Sequence, residues 1–309
     1  MKTNETKVLD QPSRLSGQCP AKGRVAAITG VGAGGIGEAV AEELAIRQGY
    51  ELFASDINAA RGTQTCELIR RKGGKMHFIH ADTATSDGIE LFFDSIQIHT
   101  GRLDLLVNNA GSAGDPAKDN LLDLDIAAFQ KLLEINVTGP VMMTKEALRR
   151  FMLPQGRGVV IFVGSLNGGY GRGQLGQLGY GTAKTALTSV LAQLTAQFGS
   201  QIRFNLVRPG ITVTNSENWQ KRSLHDPMYE AREAEQYPSK RLMYPADIAR
   251  AIAWLASDEA RLINGVELAV DGGQSAAGIL HPAWEPSNFR ASYVQSVAAL
   301  ENSPERQAS

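Results

Sequence analysis

Short apolar runs recur along the chain, each followed by a glycine-rich or polar turn and then by a stretch with apolar residues every three or four positions. Val25–Thr29 (VAAIT) is the first run, G-V-G-A-G-G-I-G follows it, and residues 38–47 continue as an amphipathic helix. Residues 50–55 predict a second strand ending at Asp56, with a helix over 58–71. Lys75–His80 predicts a third strand, 86–100 a helix, and 103–107 a fourth strand leading into N-N-A-G at 108–111. A long helical pattern covers 124–152, interrupted in polarity by Asn136. Strands at 159–163, 202–207 and Glu267–Val270 alternate with helices at 180–198 and 248–257. Alternation with short connections predicts βαβ units on a parallel sheet. The expected fold is α/β: a single-domain, Rossmann-like doubly wound sheet of about seven strands with helices on both faces. The domain spans 23–278, between a polar arm at 1–22 and a tail at 279–309.

Ligands of such sheets bind outside the carboxyl ends of the strands, and the chemistry-bearing residues fall there. Glycines after the first strand permit a tight turn and let backbone N–H groups approach a pyrophosphate at the helix N-terminus. Two registers fit: Gly32, Gly34 and Gly37 match G-x-G-x-x-G, while Thr29, Gly30, Gly35 and Gly37 match T-G-x(3)-G-x-G with one extra residue. Asp56 ends the second strand about 20 residues beyond the glycine loop, where a carboxylate accepts hydrogen bonds from the adenosine ribose and repels a 2'-phosphate. No basic residue directly follows it, so NAD(H) is expected over NADP(H). The competing reading makes Asp56 the N-cap of the next helix, and Arg61 stands one turn along, within reach of a phosphate.

The most specific stretch runs from Ser165 to Lys184. Ser165 ends an apolar strand, and Tyr180 and Lys184 lie four positions apart on a predicted helix, so phenol and ammonium share a face. A phenol has a pKa of about 10, and a nearby cation lowering it by ~3 units would supply roughly 4 kcal/mol toward the phenolate. A group so tuned exchanges a proton with an alcohol oxygen.

Composition narrows the field. With 31 basic and 32 acidic residues and a net charge of -1, neither nucleic acid nor an acidic membrane surface has electrostatic support as a partner. Two cysteines, Cys19 and Cys66, lack metal-ligand spacing, and the polar first residues lack the apolar core of a secretory signal. No metal is expected, no membrane span reaches 18 apolar residues, and the expected location is cytoplasmic.

Taken together, the glycine loop, Asp56, Asp82, N-N-A-G, Asn136 in N-V-x-G, Ser165, Y-x-x-x-K, P-G-I-T-V-T and the late V-D-G-G resemble a classical short-chain dehydrogenase/reductase over residues 22–276. Two departures are insertions within loops: one extra residue in the glycine loop, and Ser165 two positions further from the tyrosine than usual. The resemblance implies Asn136, Ser165, Tyr180 and Lys184 as the catalytic group. It implies NAD with its pyrophosphate on Gly30, Gly35, Ile36 and Gly37, its adenosine on Asp56 and Asp82, and its nicotinamide ribose beside Asn108, Ala110, Tyr180 and Lys184. Pro209, Gly210 and Ile211 would pass beside the carboxamide, with Thr212 or Thr214 capping it. Asn136 would hold a water linking Lys184 to solvent.

The implied activity is hydride transfer between a secondary alcohol or ketone and nicotinamide, with a small-molecule substrate and a homotetramer or homodimer. The polar segment after Thr214, carrying Trp219, Met228, Tyr229 and Tyr237, corresponds in this family to a lid over substrate, and its composition equally fits a solvated helical insertion. Tyr170 lacks a lysine four residues on and is assigned to the substrate wall or to no role. The tail, with Trp284, Phe289 and Tyr293, is expected to pack on a neighbouring subunit, bordering its active site, the alternative being that it docks on its own subunit. The alternatives are a nucleotide-sugar epimerase or dehydratase, for which fewer than 100 residues after Gly210 are short, and a non-catalytic NAD-binding regulator.

Overall fold

Seven parallel strands form one sheet: β1 (Val25–Thr29), β2 (Glu51–Asp56), β3 (Lys75–His80), β4 (Leu105–Asn108), β5 (Gly158–Val163), β6 (Ile202–Pro209) and β7 (Glu267–Val270), in the order β3-β2-β1-β4-β5-β6-β7. The computed structural model describes residues 23–115, 118–119, 121–168, 177–215, 228–235 and 237–277. The arm, the tail, Tyr170 and Trp219 lie outside the described residues.

Strand alternation divides the core into two layers. Ala26, Ile28, Leu52, Ala54, Leu105 and Val107 face α1 (Ile36–Glu42), α2 (Ala59–Arg71) and α9 (Pro245–Ala256). Val25, Ala27, Phe53, Leu106, Phe162 and Phe204 face α3 (Ser86–His99), α5 (Gly139–Ala147) and α7 (Leu178–Phe198). Both faces of the central strands are thus dry, the condition a parallel sheet needs. Strand order reverses between β1 and β4, which pair through Ala26↔Leu105 and Ile28↔Val107, and this opens a crevice beyond their carboxyl ends.

β1, β3 and β7 occupy the expected residues. β4 starts later than its apolar pattern because Asp104 is drawn to β1, its carboxylate accepting the Val25 N–H at 2.9 Å. The pattern at 124–152 is helical without a break but not uniform. α4 (Ile126–Leu133), capped by the Asp125 carboxylate, passes into a π-helical turn at Glu134–Thr138, then α5, a second π turn at Leu148–Met152, and α6 (Leu153–Gln155). α1 likewise continues as a π turn at Glu43–Arg47. Of the lid segment, α8 (Tyr229–Glu235) is described; α10 (Gln274–Ala277) closes the described chain. Among the described residues, no helix is long and apolar enough to cross a membrane, and no cluster of His, Cys, Asp or Glu could hold a metal ion.

Candidate active site

The glycine loop joins β1 to α1 in a conformation that only glycine sustains at its key points. Gly30 has φ +73, and a Cβ there would lie 2.7 Å from the Ala110 Cα; a Cβ on Gly37 would lie 2.1 Å from the Gly30 carbonyl oxygen. Asn109 locks the turn to the end of β4: its Nδ2 donates to the Thr29 and Gly30 carbonyls at 3.0 and 2.7 Å. Thr29 Oγ1 returns the link, accepting the N–H groups of Asn109 and Ala110. α1 begins at Ile36 with Gly35 as its N-cap and no side chain capping it, so its first-turn donors face the crevice. The chain after β6 crosses over this loop, where the Asn215 N–H donates to the Gly34 carbonyl at 3.0 Å.

At the adenosine end, Asp56 closes β2 with Oδ1 accepting the Asn58 N–H at 2.8 Å. Asn58, not Asp56, caps α2, its side chain accepting the Arg61 N–H. This removes the capping role left open for Asp56 in the sequence. Its Oδ2 lies 3.2 Å from where a Gly32 Cβ would stand, a tight approach of loop and carboxylate. Arg61 packs against the same glycine and donates to the Ala33 carbonyl at 2.6 Å. Asp82 sits beyond β3, exposed, with Oδ1 accepting the Ala84 N–H.

A cavity of about 230 Å³ lies where the two halves of the sheet meet, lined among others by Ile36, Ser165, Tyr180, Lys184, Pro209, Gly210 and Thr212. Lys184 is 4% exposed and its Nζ donates to the Val163 carbonyl at 3.0 Å. Burial pulls its amine down to about 8. Tyr180, one turn earlier on α7, keeps part of its surface open to the cavity, and Ser165 is its hydrogen-bond partner. Burial pushes the phenol above its usual range, and the Ser165 hydrogen bond acts in the opposite direction. The sequence expectation that Lys184 lowers the phenol has no counterpart here, where burial and Ser165 are the influences on it. The ammonium stands 5.8 Å from the ring centroid, is engaged by Val163, and shares the same desolvated wall.

Asn136 sits inside the π turn, fully buried. The wider turn lets its Nδ2 donate to the Leu132 and Ser112 carbonyls at 3.0 and 2.9 Å, while its Oδ1 accepts the Ser112 N–H at 3.3 Å. Gly111 is the thin wall between Asn136 and Lys184: a Cβ there would lie 2.8 Å from Asn136 Oδ1 and 3.1 Å from Lys184 Nζ.

Not every expected residue faces the crevice. Asn108 points into the interior, donating to Thr144 Oγ1 at 3.0 Å, and it is Asn109 that lines the cavity. Ile211 donates its N–H to the Tyr237 hydroxyl at 3.2 Å, and Thr212 Oγ1 donates to the Gly210 carbonyl. Asp119 escaped the sequence reading altogether. Its buried carboxylate accepts the N–H groups of Gly179 at 2.7 Å and Tyr180 at 3.4 Å, capping α7 where Gln177 supplies no cap. Four acidic residues crowd residues 115–125, and nothing local singles out this one.

The glycine cradle, an uncapped helix start, a carboxylate at the end of β2 and a cavity holding Tyr180 and Lys184 fit a nicotinamide dinucleotide. Fold and site define a Rossmann-type oxidoreductase. A family model described as Enoyl-(Acyl carrier protein) reductase matches residues 30–275, and the chain belongs to the short-chain dehydrogenase/reductase family. It is 34% identical to 2-(S)-hydroxypropyl-CoM dehydrogenase 3 of Xanthobacter autotrophicus, over 82% of this chain and 98% of that protein. It is also 34% identical to cis-4-hydroxycyclohexanecarboxylate dehydrogenase of Sinomonas cyclohexanicum, over 82% and 97% of the two chains. Among solved structures it resembles a 7α-hydroxysteroid dehydrogenase complexed with NADH and 7-oxo glycochenodeoxycholic acid: TM-score 0.73, 28% identity, 82% and 95% coverage.

Proposed function

We propose that the protein is an NAD(H)-dependent oxidoreductase interconverting a secondary alcohol and a ketone, with Tyr180 as the acid/base. The observation that carries this reading is the convergence of Ser165, Tyr180 and Lys184 on one cavity, with Asn136 across Gly111, beside a glycine cradle open to a dinucleotide. Gly30, Gly35, Ile36 and Gly37 would hold the pyrophosphate, and Asp56 the adenosine ribose, with Asp82 beyond it. Lys184 would hold the nicotinamide ribose, beside Ala110, and Pro209, Gly210, Ile211, Thr212 and Thr214 the carboxamide side. The part of Asn108 narrows to its main chain, since its side chain is committed to Thr144. When bound, nicotinamide supplies the hydride acceptor or donor.

Ser165 would fix the substrate oxygen beside the phenol. In reduction Tyr180 gives its proton to the carbonyl oxygen; in oxidation it takes the hydroxyl proton. Burial raises the phenol, so at neutral pH it stands in the protonated form that donates to a ketone oxygen. Asn136 holds the Ser112 segment and, through Gly111, the space around the Lys184 amine. Preference for NAD(H) draws support from Asp56, freed of a capping role, and from the NADH in the related hydroxysteroid dehydrogenase. A cytoplasmic homotetramer or homodimer completes the reading, and light scattering measures the mass.

Fluorescence titration with NADH and NADPH, for the wild type and Asp56→Ala, tests the cofactor. Tight NADH binding whose preference disappears in the variant supports the reading. Preference for NADPH sinks it and points to Arg61. A panel of secondary alcohols with NAD, run with Tyr180→Phe, tests the chemistry, and turnover that survives in the variant refutes the acid/base role.

A further inference from the structure

Arg208, near the carboxyl end of β6, has the largest fully buried side chain among the described residues, at 1% exposure. A guanidinium removed from water needs acceptors for its rigid set of donors. It ion-pairs with Glu267 on β7, and two of its further hydrogen bonds lead to the catalytic group. Nη1 donates to the Ser165 carbonyl at 2.9 Å, and Nη2 donates to Thr188 Oγ1 on α7. Thr188 lies one turn beyond Lys184 and two beyond Tyr180 on the same side of the helix. The Ser165 carbonyl also accepts the Gly168 N–H at 3.1 Å, so the serine main chain is held from two sides. Arg208 does not line the cavity; its neighbour Pro209 does.

We propose that Arg208 is a positioning residue: its guanidinium, anchored by Glu267, ties the Ser165 main chain to the flank of α7 so that serine hydroxyl and tyrosine phenol meet. The proposal rests on the reading of Ser165 and Tyr180 as the proton-transfer pair. An apolar pair of similar volume would fill the same space and serve stability as well or better. What it would lack is direction: the planar fork sets angles between three elements, which packing alone leaves looser.

The test separates stability from geometry. Wild type, Arg208→Met/Glu267→Leu, Thr188→Val and Ser165→Ala are labelled with 13Cζ-tyrosine, and Tyr180→Phe assigns the Tyr180 signal, read at pH 7 without cofactor. Removing both charges together spares folding. In the double variant the Tyr180 signal is expected to move toward its position in Ser165→Ala, and in Thr188→Val part of the way. With an alcohol that the wild type oxidises, kcat is expected to fall about 10- to 100-fold while KM and NADH affinity stay within about twofold. A folded double variant with the wild-type Tyr180 signal and kcat overturns the proposal. Should the double variant fail to fold, an unmoved signal in Thr188→Val overturns it alone. Absence of turnover in the wild type would count against the proposed function, while the NMR signal still decides the part played by Arg208.

Discussion

Lys184→Met is expected to stabilise the cofactor-free protein at neutral pH while abolishing its turnover. The amine is 4% exposed, and burial pulls it from 10.5 to about 8. That difference of about 2.5 units corresponds to roughly 3 kcal/mol of unfavourable free energy for keeping the charged form in the folded chain. Methionine has a similar length and no charge to desolvate. The variant also loses the hydrogen bond to the Val163 carbonyl, a cost of about 1–2 kcal/mol for a buried acceptor left unpaired. A net gain of about 1–2 kcal/mol near pH 7 follows. The sign sets the pH dependence. A depressed folded-state pKa means that the unfolded chain binds more protons between about 8 and 10.5, so the wild type recovers stability as pH rises through that window. By pH 10 the advantage of the variant is expected to vanish or reverse. Urea unfolding of both proteins without cofactor, at pH 7 and pH 10, measures the difference. A variant less stable than the wild type at pH 7, or one whose gain is equal at both pH values, would refute the reasoning.

Asp119→Ala removes the cap of α7 and is expected to lower kcat about 10-fold or more, whereas Asp119→Asn, which keeps an acceptor, retains most of it; steady-state kinetics on folded protein compares them. Gly111→Ala places a Cβ against both Asn136 and Lys184, and turnover should fall with NADH binding largely preserved. Gly37→Ala drives a Cβ into the Gly30 carbonyl, so NADH affinity should drop about 10-fold or more in the fluorescence titration; wild-type affinity would contradict the geometry of the turn. Because burial raises the Tyr180 phenol, alcohol oxidation should climb with pH through the alkaline range and ketone reduction should decline, as initial rates over pH 6–10 would display.

The central strands β1, β4 and β5 were legible because each is largely buried and written as a mainly apolar run, while the edge strands β3 and β7, only partly buried, were legible from their place between helical patterns. Short, charged ends blurred only their limits, as Asp104 does for β4. The side chains proposed for catalysis could be brought together from the sequence because Tyr180 and Lys184 answer to one helical repeat and Ser165 follows one strand end. What stayed hidden depends on contacts far apart in the chain. Asp119 reaches Gly179 across 60 residues, and Arg208 finds Glu267 across 59, so neither partner marks the other locally. Asn108 and Asn109 were indistinguishable by type; only strand alternation, fixed by pairing with β1 and β5, turns one inward and leaves the other at the crevice. The choice between a capping and a ribose-binding role for Asp56 likewise turned on where α2 begins, with Asn58 as its N-cap.

The π turn at Glu134–Thr138 stores the placement of Asn136 as a residue count rather than as a residue type. Deleting one residue there would let the helix close to ordinary α geometry with α5 kept in its present register, because the wide turn, in which the Gly139 N–H reaches the Glu134 carbonyl, takes up one extra residue. The faces that α5 turns to the sheet, carrying Met143 and Ala147, would stay in place, and the change would fall on Asn136 and its bonds to Leu132 and Ser112. Substitution scanning would leave this information unseen. It is carried by chain length, and a shortened segment would displace Asn136 while leaving the adjoining core in register.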